Sequence, residues 1–144
     1  MYVLDTNILV AALWSRTGAS FRIIDQVLSG RLPIAISVAL TLEYEAVLKR
    51  TAMREASWAS LTELDVILDA LIGNAKIVMP IRTKLRPTLA DPDDEMVLEC
   101  AVQSGADGIV TMNVRDFEAG RALYRVDVFK PGELLNHLAR GDEG

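Results

Sequence analysis

Tyr2-Val3-Leu4-Asp5-Thr6-Asn7 is the stretch on which the reading of the fold turns. Its three apolar residues suit a short buried strand that ends at an aspartate. Ile8 to Trp14 continues apolar and alanine-rich, as a first short helix, until Arg16-Thr17-Gly18 breaks it. A strand that hands over to a helix across a polar turn is the repeating unit of an α/β fold.

The same alternation continues outward from this start. Phe21, Ile23, Ile24, Val27 and Leu28 recur at helical spacing, with Gly30 as a natural stop. Residues 33–37 read as a second strand, and 38–50 as a helix with Leu42, Ala46 and Val47 on one face. Ser57 is placed to cap a long helix reaching Ile72, which Gly73-Asn74 ends. Residues 76–79 read as a third strand and 81–91 as loop. Asp91-Pro92 opens a helix to about Ser104, because proline suits a first turn and aspartate the position before it. Strands at 108–111 and 126–129 follow, then a last helix from Pro131 to Leu138. The expected architecture is an α/β sandwich with a mostly parallel five-stranded sheet.

Composition sets the outer limits. A chain of 144 residues, 51% hydrophobic and 24% charged, has material for one core. We expect a single domain over residues 1–139 and a frayed tail over 140–144. No apolar run is long enough to span a bilayer, and the start carries no basic lead, so no signal peptide is expected. The lone Cys100 cannot form an internal disulfide. Cytoplasm is the expected location. The net charge of −5 is an awkward sign for binding nucleic acid, unless the acids gather where metal ions neutralise them.

The acids can be placed by one rule: in an open parallel sheet, sites form at the carboxyl ends of strands. Asp5 follows strand one directly, and Asp116 lies in the loop after strand four. Glu43 sits in the helix after strand two, and Asp94 in the first turn of the helix leading to strand four. Four carboxylates on one rim suit metal-assisted phosphodiester cleavage, because magnesium takes oxygen ligands and packed carboxylates repel without a cation. Each acid also has a plain reading. Asp5 and Asp116 could cap helical turns, and Glu43 could lie on a solvated face beside Glu45, Lys49 and Arg50. Asp91, Asp93 and Glu95 suit the helix dipole with no function at all. The ordered set, rather than any one residue, carries the argument.

Four segments resemble the PIN-domain nucleases: Val3 to Val10 with its Asp5-Thr6-Asn7, Ser37 to Arg50 with Glu43, Asp91 to Ala101 with Asp94, and Ala106 to Phe117 with Asp116. They cover nearly the whole chain in the right order. The resemblance implies a three-layer PIN-like sandwich whose acidic groove binds Mg2+ or Mn2+ and hydrolyses RNA. Many small members are toxins paired with an antitoxin protein, and several are homodimers. The Asp91-Pro92-Asp93-Asp94 stretch resembles a branch described as toxins. Where many relatives carry Thr-Gly-Asp, this chain has Thr111-Met112-Asn113, and asparagine supplies an oxygen without charge. The fourth carboxylate then falls to Asp116, and one metal or two stays open.

By this resemblance Asp5 and Asp94 bind the first metal, Glu43 orients the attacking water or serves a second ion, and Asp116 completes the rim. Thr6, Asn7, Thr111 and Asn113 are candidates to hold the carboxylates by hydrogen bonds. Arg16, Lys84, Arg86 and Arg115 are candidates for substrate phosphates. His137 is expected at the surface and Cys100 in the core, with Trp14 and Trp58 packing rather than stacking on bases. Two other classes compete. A phospho-receiver domain would share the small parallel α/β build and a Lys130-Pro131 turn, yet it needs an aspartate ending strand three, and Lys76-Ile-Val-Met79 offers none. A PIN-like fold kept for binding alone is the other; divalent-ion binding at the rim discriminates it.

Overall fold

The computed structural model describes residues 1–54 and 57–143. Among them, five strands form one sheet in the order β3-β2-β1-β4-β5. These are β1 (Tyr2–Leu4), β2 (Ile34–Ser37), β3 (Ala75–Val78), β4 (Gly108–Val110) and β5 (Asp127–Phe129). Every pairing is parallel, including the edge strands, so the sheet is fully rather than mostly parallel. Parallel sheets are covered on both faces, and β1, β2 and β4 are buried at every position.

The helices are α1 (Thr6–Trp14), α2 (Ala19–Leu28), α3 (Val38–Arg54), α4 (Leu61–Asn74), α5 (Pro92–Ser104), α6 (Glu118–Tyr124) and α7 (Pro131–Glu143). Helix α5 packs across β1 to β4, while α1 to α4 pack on one another. Among the described residues, no helix is long and apolar enough to cross a membrane. Two glycines are required by geometry. Gly105 ends α5 at φ 67°, and a Cβ on Gly108 would lie 2.9 Å from the Phe129 ring across the β4–β5 pair.

Several expectations need correction. Helix α3 buries Leu40, Tyr44 and Leu48, whereas Leu42 is 62% exposed; an i, i+4, i+8 stripe fits its packing against α1 and α4 better than the face read from Leu42 and Val47. Helix α4 is capped by Ser60, which exchanges hydrogen bonds with Glu63 in a capping box, and the Ser57 hydroxyl takes the Ala59 N–H instead. The same helix runs through Gly73 to Asn74, whose side chain bonds the Ala70 carbonyl. Helix α6 was expected at most as a short helical turn after Asp116; its one buried residue is Gly120, against Leu98, so it shows no apolar stripe. The last helix runs on from Leu138 to Glu143, through most of the expected tail.

The 81–91 segment is loop, as expected, but it is clipped to α5. Three α5 side chains spaced four apart do this. Glu95 Oε1 accepts the N–H groups of Thr88 and Leu89, both at 2.7 Å. Glu99 Oε1 pairs with Arg86 Nε at 3.0 Å. Gln103 accepts from the Arg82 and Thr83 N–H groups and donates to the Pro80 carbonyl at 2.7 Å. One face of a helix thus holds the chain that leads into its own first turn.

Candidate active site

Asp5 is placed by the sheet itself. Its N–H donates to the Val110 carbonyl at 2.9 Å, so the β1–β4 ladder continues up to the residue that carries the carboxylate. The Tyr44 hydroxyl donates to the Leu4 carbonyl just beneath it. Asp5 occupies the N-cap position of α1, yet its side chain makes no capping hydrogen bond. Its Oδ2 instead accepts from the Thr111 hydroxyl at 2.7 Å. The plain reading of Asp5 as a cap is thereby replaced by a bond across the sheet.

Thr111 is fully buried and uses its hydroxyl completely. It donates to Asp5 and accepts from the Asn113 N–H at 3.1 Å and the Asn7 amide at 3.4 Å. Asn7 Oδ1 in turn accepts the Met112 N–H at 3.2 Å. This network ties the turn after β1 to the turn after β4. It leaves the second oxygen of Asp5 free of side-chain partners among the described residues.

Asp94 enters from the first turn of α5. Asp91 caps that helix by accepting the Asp93 N–H at 2.9 Å, and Pro92 follows it. Asp94 is pushed up to about 7, first by burial and then by the charges of Asp5, Asp91, Asp116 and Asp93. Asp5 is raised too: burial dominates, the Thr111 hydroxyl and the Thr6 N–H oppose it, and Asp116 and Asp91 add repulsion. Burial also raises Glu43, as do the charges of Asp93, Asp91 and Asp5, against the pull of Arg50. Asp116 lies on the 3-10 turn Val114–Phe117, anchored by fully buried Phe117. Glu43, Asp94 and Asp116 therefore all act electrostatically on Asp5 or on one another.

Asp91 and Asp93, which looked like dipole partners only, add their charges to the rim, acting on Asp94 and Glu43. Glu95 does not join them; it is 2% exposed and turned inward on the loop. Among the described residues, no three acid, histidine or cysteine side chains gather closely enough to ligate one ion. The acids form a rim of mutual repulsion rather than a closed cage. Its donors are all oxygens, which suits magnesium or manganese, and the burial and mutual repulsion that raise Asp94 are what a divalent cation would offset.

The four cations proposed for phosphate separate on inspection. Arg86 is taken up by Glu99, and the Arg16 guanidinium lies 4.7 Å over the Trp58 ring. Trp58 itself donates to the Ala12 carbonyl and packs edge-on against Phe21, so it serves the interior. Lys84 is exposed on the clipped loop. Arg115 borders a polar recess together with Met112, Asn113, Val114, Asp116 and Lys130. Lys130 was weighed in the sequence only for its turn with Pro131, because the strand-end rule was applied to acids alone; it follows β5 as Asp5 follows β1. Elsewhere, Trp14 is 60% exposed, His137 lies on the surface beside Phe129, and buried Cys100 has its thiol pushed up to about 12 by desolvation.

The PIN-domain family model matches residues 1–115, which include Asp5, Glu43 and Asp94 and stop just short of Asp116. A 75-residue stretch is also 37% identical to part of a dihydroorotate dehydrogenase (quinone) from Mycolicibacterium vanbaalenii, covering 52% of this chain and 21% of that enzyme. So small a share of that enzyme transfers no activity.

Proposed function

Because the chain belongs to the PIN-domain family, a nuclease type of fold, we propose that it is a divalent-metal-dependent endoribonuclease working at the rim of Asp5, Glu43, Asp94 and Asp116. The observation that carries this reading is the raised Asp94 carboxyl, lifted first by burial and then by the charges of Asp5, Asp91, Asp116 and Asp93 gathered around it. Such crowding is costly in a structural role and useful around a cation.

Asp5 and Asp94 would hold the first Mg2+ or Mn2+, with Glu43 and Asp116 toward a second. Bound there, the metal supplies a nucleophilic water at neutral pH and charge stabilisation for the leaving oxygen. The protein's own part is orientation. Thr111 fixes the Asp5 carboxylate through Oδ2, and Asn7 and Asn113 hold Thr111 in turn. Glu43 would orient the attacking water or serve the second ion, and Asp116 would complete the rim.

The Asp91-Pro92-Asp93-Asp94 stretch supports a place among toxins of toxin–antitoxin pairs, acting in the cytoplasm with an antitoxin protein as partner. Exposed Trp14, Leu42 and Val66 support a homodimer. The other reading, a PIN fold kept for binding alone, is favoured by the lack of a closed carboxylate triad among the described residues and by Asn113. Purified protein incubated with single-stranded RNA separates the two. Cleavage in magnesium or manganese, abolished by EDTA, is the expected result. Intact RNA across varied sequences in both metals would leave the binding reading.

A further inference from the structure

We propose that the recess beside Asp116 seats the nucleotide next to the scissile phosphate, with its phosphate on Arg115 and Lys130 and its base on Met112. This rests on the ribonuclease reading for its place in the reaction, though the binding itself does not require cleavage. The recess has a volume of about 550 Å³ and is lined by the turn after β4 and the end of β5. That falls within the ~300–1,000 Å³ typical of small-molecule sites.

Both cations sit on braced backbone. Arg115 belongs to the 3-10 turn pinned by buried Phe117, and the Asp116 N–H closes that turn onto the Asn113 carbonyl at 3.1 Å. Lys130 follows directly on Phe129, whose carbonyl accepts the Thr111 N–H at 2.9 Å. Neither side chain is ion-paired among the described residues. Glu133 accepts the Lys130 backbone N–H at 3.2 Å, so the bond spares the ammonium.

Charge explains why such a seat is needed. The chain carries −5 overall and concentrates acids on the rim, so an incoming strand is repelled where it must react. Asp116 belongs both to the rim and to the recess, and the two cations line the same recess. A phosphodiester bound beside the rim can thus reach them. Two positive groups from separate strand ends fit one phosphate from two sides.

The base has its own surface. Met112 is 45% exposed at the recess, with its sulfur 3.8 Å from the Ser20 hydroxyl. A thioether offers a polarisable, apolar platform to any base face, which makes the seat tolerant of sequence. The Asn113 side-chain amide makes no hydrogen bond among the described residues and is free to meet a base edge.

Arg115→Ala, Lys130→Ala and their double variant test this through binding of a fluorescein-labelled single-stranded RNA octamer, read by anisotropy in EDTA over a salt series. The double variant is expected to reduce the slope of log K against log salt by about 0.7, the contribution of the one phosphate the two cations share, and each single change by part of that. In cleavage assays KM should rise roughly tenfold with kcat within about threefold, and Lys130→Arg should restore KM. Met112→Ala should weaken intact RNA more than RNA abasic at one position. Wild-type affinity and salt slope in the double variant would overturn the seat, as would failure of the wild type to bind RNA. If the wild type cleaves and the variants are unchanged, the seat fails and the nuclease reading stands. If RNA binding depends on both cations yet no RNA is ever cut, the nuclease reading fails and the seat stands.

Discussion

Asp94→Asn is expected to lower the rate of RNA cleavage by roughly 100- to 1,000-fold, the usual loss when one group that manages charge in a reacting centre is removed. The fold should not suffer. Asp94 is half-buried, its side chain makes no hydrogen bond among the described residues, and its charge is opposed by Asp5, Asp91, Asp116 and Asp93. Removing that charge relieves repulsion, so the variant should melt at or above the wild-type temperature. A fall in activity together with higher stability is the signature of a functional carboxylate. Lower stability with unchanged cleavage would place Asp94 in a structural role. Asp5→Asn should match it in activity and also melt at or above the wild-type temperature, because an amide oxygen still accepts the Thr111 hydroxyl while the charge that burial, Asp116 and Asp91 oppose is gone.

Glu95→Ala should act in the opposite sense, with a large effect on stability. Its carboxylate accepts two backbone N–H groups at 2.7 Å each, from Thr88 and Leu89, and the side chain is 2% exposed. Truncation leaves both donors without a partner in a largely buried setting. At about 1–3 kcal/mol per orphaned group, and with some cost already present in the unpartnered Oε2, a loss of roughly 2–4 kcal/mol follows. Glu95→Gln keeps one acceptor oxygen and should lose less than half of that. Urea unfolding of the three proteins measures it; a loss below about 0.5 kcal/mol for Ala would mean that the loop does not depend on this clip. Because the clipped loop runs into the Asp91 cap, Glu95→Ala should also lower cleavage, through misplacement of Asp94.

The strand and helix sequence was legible wherever burial imposed a pattern. Tyr2-Val3-Leu4 and Gly108-Ile109-Val110 are strands with no exposed face, and their apolar runs announce this. Pro92 and Gly105 mark the ends of α5 by chemistry that acts locally. The misplaced features depend on tertiary contact. The buried stripe of α3 is chosen mainly by α1 and α4, which pack against it. Helix α6 packs through Gly120, a residue that local propensity counts against a helix. Glu95 was read only as a partner of the helix dipole, because nothing in the sequence says that residues 81–91 fold back over α5.

At the site, the strand-end rule reached Asp5 and Asp116, and resemblance ordered Glu43 and Asp94 with them. The reach of Asp91 and Asp93 into the same field was not visible. Nor was the division of the cations, which depends on side-chain partners: Arg86 finds Glu99, Arg16 finds Trp58, and Arg115 is left beside Lys130.

The central claim is that the carboxylate rim is a divalent-cation site, and calorimetric titration of Mn2+ into the purified protein at pH 8 and pH 6 tests it most directly. Asp94 titrates at about 7, so at pH 6 a proton must leave before the metal binds, and at pH 8 the group is already charged. Affinity should therefore be about tenfold weaker at pH 6 than at pH 8, and Asp94→Asn should abolish both the binding and its pH dependence. Absence of heat at pH 8, or binding equally tight at both pH values and unchanged in Asp94→Asn, would contradict the account.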